Sequence, residues 1–245
     1  PIQEEEDKED CPICTDALPK LSNQFVRLTC CGKGLHFKCA KDLMENKSMT
    51  LEQKQTCIMC RTKLVAIGSK EDIERHRKWM KKGKGWAMCM LADRYKDGIG
   101  VKQSGKKAVE LYEMAAKRGD AGAQYNLALC YQKGIYGVTQ SSKRAIEFYT
   151  LAVNQGHANA QYNLGNSYSK GAVGLTQSSK RAIKLYTLAA EQGHVAAQNN
   201  LGHMYANGNG IDRSYSKARE WWTKAAAQGC EEAINGLKQL DKAGV

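Results

Sequence analysis

The sequence predicts a small metal-held module followed by an all-α solenoid of helical hairpins. Seven of the ten cysteines and one histidine fall in closely spaced groups between residues 11 and 60. From about residue 85 onward the chain instead repeats a pattern of 36 or 37 residues. A chain of 245 residues has room for both parts.

The charge of the chain is divided unevenly between these two parts. The net charge is +12, yet residues 1–64 carry ten acidic and ten basic side chains, so the later residues carry the whole excess. A solvated basic face explains such an excess, and an acidic partner, nucleic acid or a membrane surface are the alternatives. No run of 18 apolar residues and no signal peptide is visible. We therefore expect no membrane span and a cytoplasmic or nuclear location.

The cysteine spacing favours bound zinc over disulfides. In a Cys-x-x-Cys pair the two thiolates of one tight turn can reach one ion, and the chain has two such pairs and a His-x-x-Cys pair. Thiolate and imidazole are ligands that zinc prefers. The candidates are Cys11, Cys14, Cys30, Cys31, His36, Cys39, Cys57 and Cys60. Eight ligands are enough for two tetrahedral ions, and zinc binding contributes roughly 10–16 kcal/mol to the folding of small fingers. The remaining cysteines, Cys89, Cys130 and Cys230, are scattered, and we expect them to be small core residues.

The adjacent Cys30 and Cys31 allow three interpretations: two zinc ligands, one ligand and a spare thiol, or a vicinal disulfide. If only one of them binds, a carboxylate such as Asp42 has to complete the set, and it matches thiolate sites less well. A vicinal disulfide leaves too few ligands for two ions. Counting therefore favours two ligands.

The ligand order resembles a RING finger with cysteine in fourth and histidine in fifth place, over residues 11–64. A PHD finger shares this order, but it usually has a tryptophan where this chain has Gln55. The resemblance implies an α+β module with two interleaved zinc sites. In that arrangement one ion is held by Cys11, Cys14, His36 and Cys39, and the other by Cys30, Cys31, Cys57 and Cys60.

The RING resemblance also implies a ubiquitin-protein ligase that acts without a catalytic nucleophile, by orienting a charged ubiquitin-conjugating enzyme. The matching contact residues are Ile13 between the first two ligands, Leu43 in the central helix and Arg61 after the last ligand. Ile58 stands where the family usually has proline. This departure favours the alternative function, a non-enzymatic, zinc-dependent interaction scaffold.

The second part of the chain is an internal repeat. Residues 121–157 and 158–194 agree at 25 of 37 positions, and residues 195–230 form a further copy. Each first helix has small and apolar residues at offsets of four and eight, which lie on one helical face, and a small residue beside the leucine. The columns are Ala87, Ala123, Ala160, Ala197 and Ala233; Leu91, Leu127, Leu164, Leu201 and Leu237; Tyr95, Tyr131, Tyr168 and Tyr205; and Ala92, Ala128, Gly165 and Gly202.

Each second helix follows a two-glycine loop and has an alanine with an aromatic residue four positions later. The pattern AxAQxxLGxxYxxGxG…KAxxWxxKAAxQG resembles Sel1-like repeats, relatives of the tetratricopeptide repeats. The resemblance implies a helical solenoid that binds a protein substrate or adaptor. The predicted parts are an acidic disordered tail (1–10), the RING-type finger (11–64), a basic linker or capping helix (65–84) and the solenoid (85–245), with repeats 85–120, 121–157, 158–194, 195–230 and a partial 231–245.

Three further features concern the solenoid. Ser69 and Asp72 have the spacing of a helix start. Basic pairs recur where second helices begin, at Lys106–Lys107, Lys143–Arg144 and Lys180–Arg181, and they form a candidate docking strip for acidic partners. Nucleic acid is the weaker alternative for this strip. His157 and His194 occupy equivalent turns without companions at ligand spacing, so we assign no metal to them.

Overall fold

The computed structural model describes residues 25–27, 34–36, 65–172 and 174–245. Strand β1 (Phe25–Arg27) pairs antiparallel with β2 (Gly34–His36), with Phe25 opposite His36 and Arg27 opposite Gly34. The described helices are α1 (Lys70–Lys81), α2 (Gly85–Asp97), α3 (Gly105–Lys117), α4 (Ala121–Lys133), α5 (Ser142–Asn154), α6 (Ala158–Lys170), α7 (Ser179–Glu191), α8 (Val195–Asn207), α9 (Tyr215–Ala226) and α10 (Glu231–Ala243). The chain divides into two compact units between Asn126 and Leu127, within α4.

In the first unit, α1 packs against α2, and α2 packs against α3. The predicted helix start is confirmed, since the Ser69 hydroxyl accepts a hydrogen bond of 3.1 Å from the Asp72 N–H. Ile73 of α1 and Leu91 of α2 are buried together with Tyr112 of α3. α1 therefore contributes apolar surface to this unit in the way that a leading half-repeat would.

In the second unit, each helix from α5 to α10 packs against the next one along the chain, and α8 also contacts α10. The buried clusters lie where a second helix meets the first helices on either side of it. One cluster joins Ala182 and Tyr186 of α7 to Leu201 of α8. The next joins Trp222 of α9 to Leu240 of α10. Hairpins of this kind bury their apolar faces by stacking, which is the construction of a solenoid.

Serine residues begin the second helices. The four N-cap hydroxyls each accept a hydrogen bond from the N–H three residues later, which satisfies a donor that the helix itself leaves unpaired. The pairs are Ser104 with Lys107, Ser141 with Arg144, Ser178 with Arg181 and Ser214 with Lys217, at 3.3–3.4 Å. The caps fix where each second helix starts relative to the preceding loop.

The predicted close approach between helices is confirmed at the glycines beside the repeat leucine. A methyl group added at Gly165 would lie 2.8 Å from Cε1 of Tyr186. At Gly202 it would overlap the indole of Trp222, and at Gly236 it would lie 2.8 Å from Cε2 of the same indole. The aromatic residues of α7 and α9 therefore rest directly on the backbone of a first helix.

Glutamine side chains connect consecutive repeats in the second unit. The Gln192 amide donates to the Gly156 carbonyl oxygen at 2.9 Å and to Oε1 of Gln161 at 2.8 Å. One repeat later, the Gln228 amide donates to the Gly193 carbonyl oxygen at 3.2 Å and to Oε1 of Gln198 at 2.9 Å. The same bonds recur one repeat apart, so they set the register between neighbouring repeats.

The packing at Gly202 predicts that Gly202→Ala destabilises the protein. Overpacking costs about 1–3 kcal/mol, and the better helix propensity of alanine returns at most about 1 kcal/mol. Trp222 is only 3% exposed and cannot swing aside. We expect a net loss of about 1–2 kcal/mol in urea unfolding followed by circular dichroism.

The second repeat supplies the control, because its corresponding residues are Ala128 and Tyr149. In a Trp222→Tyr background, Gly202→Ala recreates that pair and should cost clearly less than in the wild type. An equal loss in both backgrounds would show that the tryptophan contact is not the cause.

Candidate protein-binding surface

The predicted zinc ligands lie outside the described residues, except His36. The same is true of the predicted contact residues Ile13, Leu43 and Arg61 and of the acidic tail. His36 is the last residue of β2, and Cys30 and Cys31 fall in the chain between the two paired strands.

Among the described residues, no group of three or more His, Cys, Asp or Glu side chains could hold a metal ion. Cys89 and Cys130 are buried, as expected for core residues, and burial raises the pKa of the Cys89 thiol well above its ordinary value. Cys230 differs from the expectation, because it is only half-buried and forms the N-cap of α10. A buried thiol with a raised pKa is not a thiolate nucleophile at neutral pH.

His157 and His194 are helix caps. Nδ1 of His157 accepts a hydrogen bond of 3.3 Å from the Ala160 N–H at the start of α6, and Nδ1 of His194 accepts one of 3.2 Å from the Ala197 N–H at the start of α8. Burial lowers the pKa of both rings, that of His157 to about 4. Both rings are therefore neutral near pH 7, as the acceptor role requires.

A cation lies over a tyrosine ring at the start of each second helix. Each cation follows its serine cap by three residues, and each tyrosine is the last member of the first-helix apolar column. The pairs are Lys107 over Tyr95, Arg144 over Tyr131, Arg181 over Tyr168 and Lys217 over Tyr205, at 5.2–5.3 Å from the ring centroids. Such contacts attract the cation to the face of the ring and limit its motion.

The Arg144 pair shows how the cation is held. Its guanidinium donates to the Tyr131 hydroxyl at 2.7 Å, and the Tyr131 ring is stacked on Phe148, with centroids 5.7 Å apart. Tyr131 is 8% exposed, so one side of the ring faces the core and the cation covers the other.

The starts of α3, α5, α7 and α9 are electropositive. None of these helices has an acidic residue in its first turn, and the helix dipole adds positive potential at the same end. Lys143 and Arg144 are exposed at the start of α5, as are Lys180 and Arg181 at the start of α7. The arrangement can attract carboxylates, since several cations lie beside unpaired backbone N–H groups.

The profile of the Sel1 repeat family matches residues 87–120, 121–157, 158–194 and 195–230, which together make up more than half of the chain. The chain belongs to the Sel1 repeat family. A comparison with curated proteins finds no significant match.

Two solved Sel1 structures are similar to this chain. One is c5321, a protective antigen of uropathogenic Escherichia coli strains, with 34% identity over 71% of this chain and a TM-score of 0.67. The other is a Sel1 repeat protein from Oxalobacter formigenes, with 30% identity over 77% of this chain and the same TM-score. The chain spans 37% and 54% of the length of these two proteins.

The structure adds a feature of the Sel1 repeats that the sequence columns missed. Three exposed apolar residues occupy one repeat position, ten residues after the serine cap. They are Met114, Leu151 and Leu188, each 46–47% exposed. The sequence signal was present, because these residues lie two positions beyond the buried aromatic column and so face away from it. No helix among the described residues is long and apolar enough to cross a membrane.

The His157 cap predicts a loss of stability in acid. The unfolded chain takes up a proton at this ring below pH 6.5, whereas the folded chain does so only near pH 4. Stability that is fully present above pH 6.5 is therefore lost between pH 6.5 and 4, by up to about 3 kcal/mol from this residue.

His157→Asn keeps a side-chain acceptor at the cap and removes the titration. We expect urea unfolding at pH 7 and pH 4 to show a smaller loss of stability in this variant than in the wild type. His157→Ala, which removes both, should already be destabilised at pH 7. Identical acid sensitivity of His157→Asn and the wild type would contradict this role of the imidazole.

Proposed function

We propose that this protein is an interaction scaffold: the Sel1 repeats hold a protein partner, and the cysteine-rich segment before them is a zinc-dependent module. The observation that carries the first half is the repeated exposed face of the second helices, which pairs fixed cations with exposed apolar side chains. Protein interfaces combine an apolar centre with polar surroundings in this way.

The zinc proposal rests on the order and spacing of the eight candidate ligands. The pairing of β1 with β2 supports it, because Arg27 and Gly34, the described residues on either side of Cys30 and Cys31 in the chain, lie opposite each other. His36 follows at the end of the second strand. Zinc in such a module would be structural, with four protein ligands for each ion and no open position.

A second candidate function, a RING-type ubiquitin ligase, is favoured by the residues around the ligands. Ile13 and Arg61 match the positions that contact the conjugating enzyme and its ubiquitin in that family, and Leu43 matches the contact from the central helix. In that reaction the amine of a lysine attacks the thioester carbonyl carbon, an amide bond forms, and the cysteine thiolate of the conjugating enzyme leaves. The ligase would be a scaffold whose second partner is the charged conjugating enzyme.

Native mass spectrometry of the full chain tests the zinc module. We expect two zinc ions in the wild type. Cys14→Ser and Cys30→Ser each remove a ligand from a different predicted site, so each variant should lose one ion. Cys230→Ser is the matched control and should keep both ions, because this cysteine caps α10. Fewer than two ions in the wild type, or a linked Cys30–Cys31 pair, would contradict the proposal.

Two assays on the same protein separate the two functions. The full chain is incubated with ubiquitin, activating enzyme and a panel of conjugating enzymes, and in parallel it is cross-linked to proteins of its native extract. The scaffold function predicts at least one saturable protein partner cross-linked to residues of the Sel1 repeats, which Cys14→Ser retains. Absence of such a partner would exclude it.

The ligase function predicts in addition that ubiquitin chains form on the protein, and that Ile13→Ala and Arg61→Ala each reduce their formation about tenfold or more. Ile67→Ala serves as the control, because Ile67 is 74% exposed and lies outside the predicted zinc module. No transfer with any conjugating enzyme, or equal transfer in all variants, would leave the scaffold function alone.

A further inference from the structure

The outer side of α5 and α7 combines two features that the repeat pattern does not require for folding. We name it the basic–apolar face and define it by Lys143, Arg144 and Leu151 of α5 and Lys180, Arg181, Lys184 and Leu188 of α7. We propose that this face is the docking surface for an acidic protein segment that carries apolar side chains. The inference rests on the proposed scaffold function and adds the chemistry of the partner and the residues that bind it.

The two leucines are the apolar part of the face. Leu151 and Leu188 are each 47% exposed and occupy the same repeat position. Equivalent positions of stacked repeats lie on the same side of the stack, so the two side chains recur along one surface. Apolar residues repeated on the outer side of successive helices mark a binding surface more clearly than single exposed leucines do.

Cations share a helical face with Leu188 on α7, whereas on α5 Glu147 takes the position of Lys184. On α7, Lys180, Lys184 and Leu188 are spaced by four residues and therefore share one helical face. None of Lys143, Lys180 and Lys184 forms an ion pair with another residue in the part of the chain that the structure describes. These charges are available to a partner, and the dipoles of α5 and α7 strengthen the positive potential at the same helix ends.

Two of the cations are already ordered. Arg144 and Arg181 lie over Tyr131 and Tyr168, and the first also donates to the tyrosine hydroxyl. An ordered side chain loses less conformational entropy when it binds than a freely moving one does. The guanidinium groups are thus prepared for bidentate contact with carboxylates.

The composition of the face favours a protein segment over nucleic acid or a membrane. The tyrosine rings that could stack on bases are covered by the arginines and by the core. Leucine side chains contribute little to a contact with a phosphate backbone, whereas they pack well against apolar residues of a polypeptide.

The probe for the test is a fluorescein-labelled peptide of about 15 residues, rich in glutamate and with leucines at helical spacing. A second peptide has serine in place of the leucines, and a third has lysine in place of the glutamates. Fluorescence anisotropy is measured with the zinc-loaded full chain. We expect the first peptide to bind best, and its affinity to fall about tenfold or more between roughly 50 and 500 mM salt.

Two variants remove the two halves of the face. Leu151→Ser/Leu188→Ser removes the apolar contacts, and Lys180→Glu/Lys184→Glu reverses charges that have no ion pair within the described residues. Each should weaken binding of the first peptide about tenfold or more. The control Lys102→Glu/Lys238→Glu makes the same charge change at exposed lysines outside the face and should change the affinity less than about twofold. Circular dichroism should show that all variants keep the wild-type helix content.

Equal affinity of both face variants and the control, or no binding of the acidic leucine peptide, would overturn the proposal. So would tighter binding of a single-stranded oligonucleotide or of anionic lipid vesicles than of this peptide. The scaffold function is judged separately by the cross-linked partner. If that partner binds the wild type and both face variants equally, the face is not its docking surface although the repeats still bind a protein. If no partner is found, the scaffold function itself fails.

Discussion

The contact between one aromatic ring and the backbone of a facing helix determines the arrangement of the α6–α7 and α8–α9 hairpins. Tyr186 lies against Gly165, and Trp222 lies between Gly202 and Gly236. A ring held on both sides in a close-packed interior leaves little freedom for the helices to rotate or slide. Because the helices cannot rotate, the residues on the far side of each second helix are fixed in direction, and the cations and leucines there recur from repeat to repeat.

Hydrogen bonds between repeats fix the position of each hairpin relative to the next. Gln192 and Gln228 each donate to the buried amide oxygen of a glutamine in the same repeat, Gln161 and Gln198. The donors also satisfy carbonyl groups of the glycine turns, which would otherwise be unpaired where a second helix ends. A change of register between repeats would break the bonds from these glutamines to the Gly156 and Gly193 carbonyl groups of the preceding repeat, and this penalty specifies one stacking geometry.

Much of the helical part could be predicted from the sequence, because the features that repeat are those that packing selects. The alanine, leucine and aromatic columns predicted the buried faces, and Ala87, Ala123, Ala160, Ala197 and Ala233 are fully buried. For the tyrosine column the sequence predicted only the apolar contact, whereas each of these rings also has a cation on its outer side. Side-chain pairing across a hairpin joins residues 12 or 13 positions apart, which helical periodicity along one helix does not address. The partial exposure of Cys230 was missed for a related reason, because a cysteine in an apolar repeat pattern predicts burial, whereas this residue lies at the N-cap position of α10.

The last repeat shows how a solenoid of nearly identical units can limit a binding surface to some of them. Lys224 of α9 occupies the position of Leu151 and Leu188, and it forms an ion pair of 2.7 Å with Glu220 while it lies over the Trp221 ring. The buried residues of α9 keep the repeat pattern, with Ala218 and Trp222 in the expected columns. An exposed position can therefore change from leucine to lysine without any change in packing, since surface substitutions of this kind alter stability by only a few tenths of a kcal/mol. The apolar row ends at α7, whereas the buried alanine and aromatic columns continue into α9, so the packing of the repeats does not require the row.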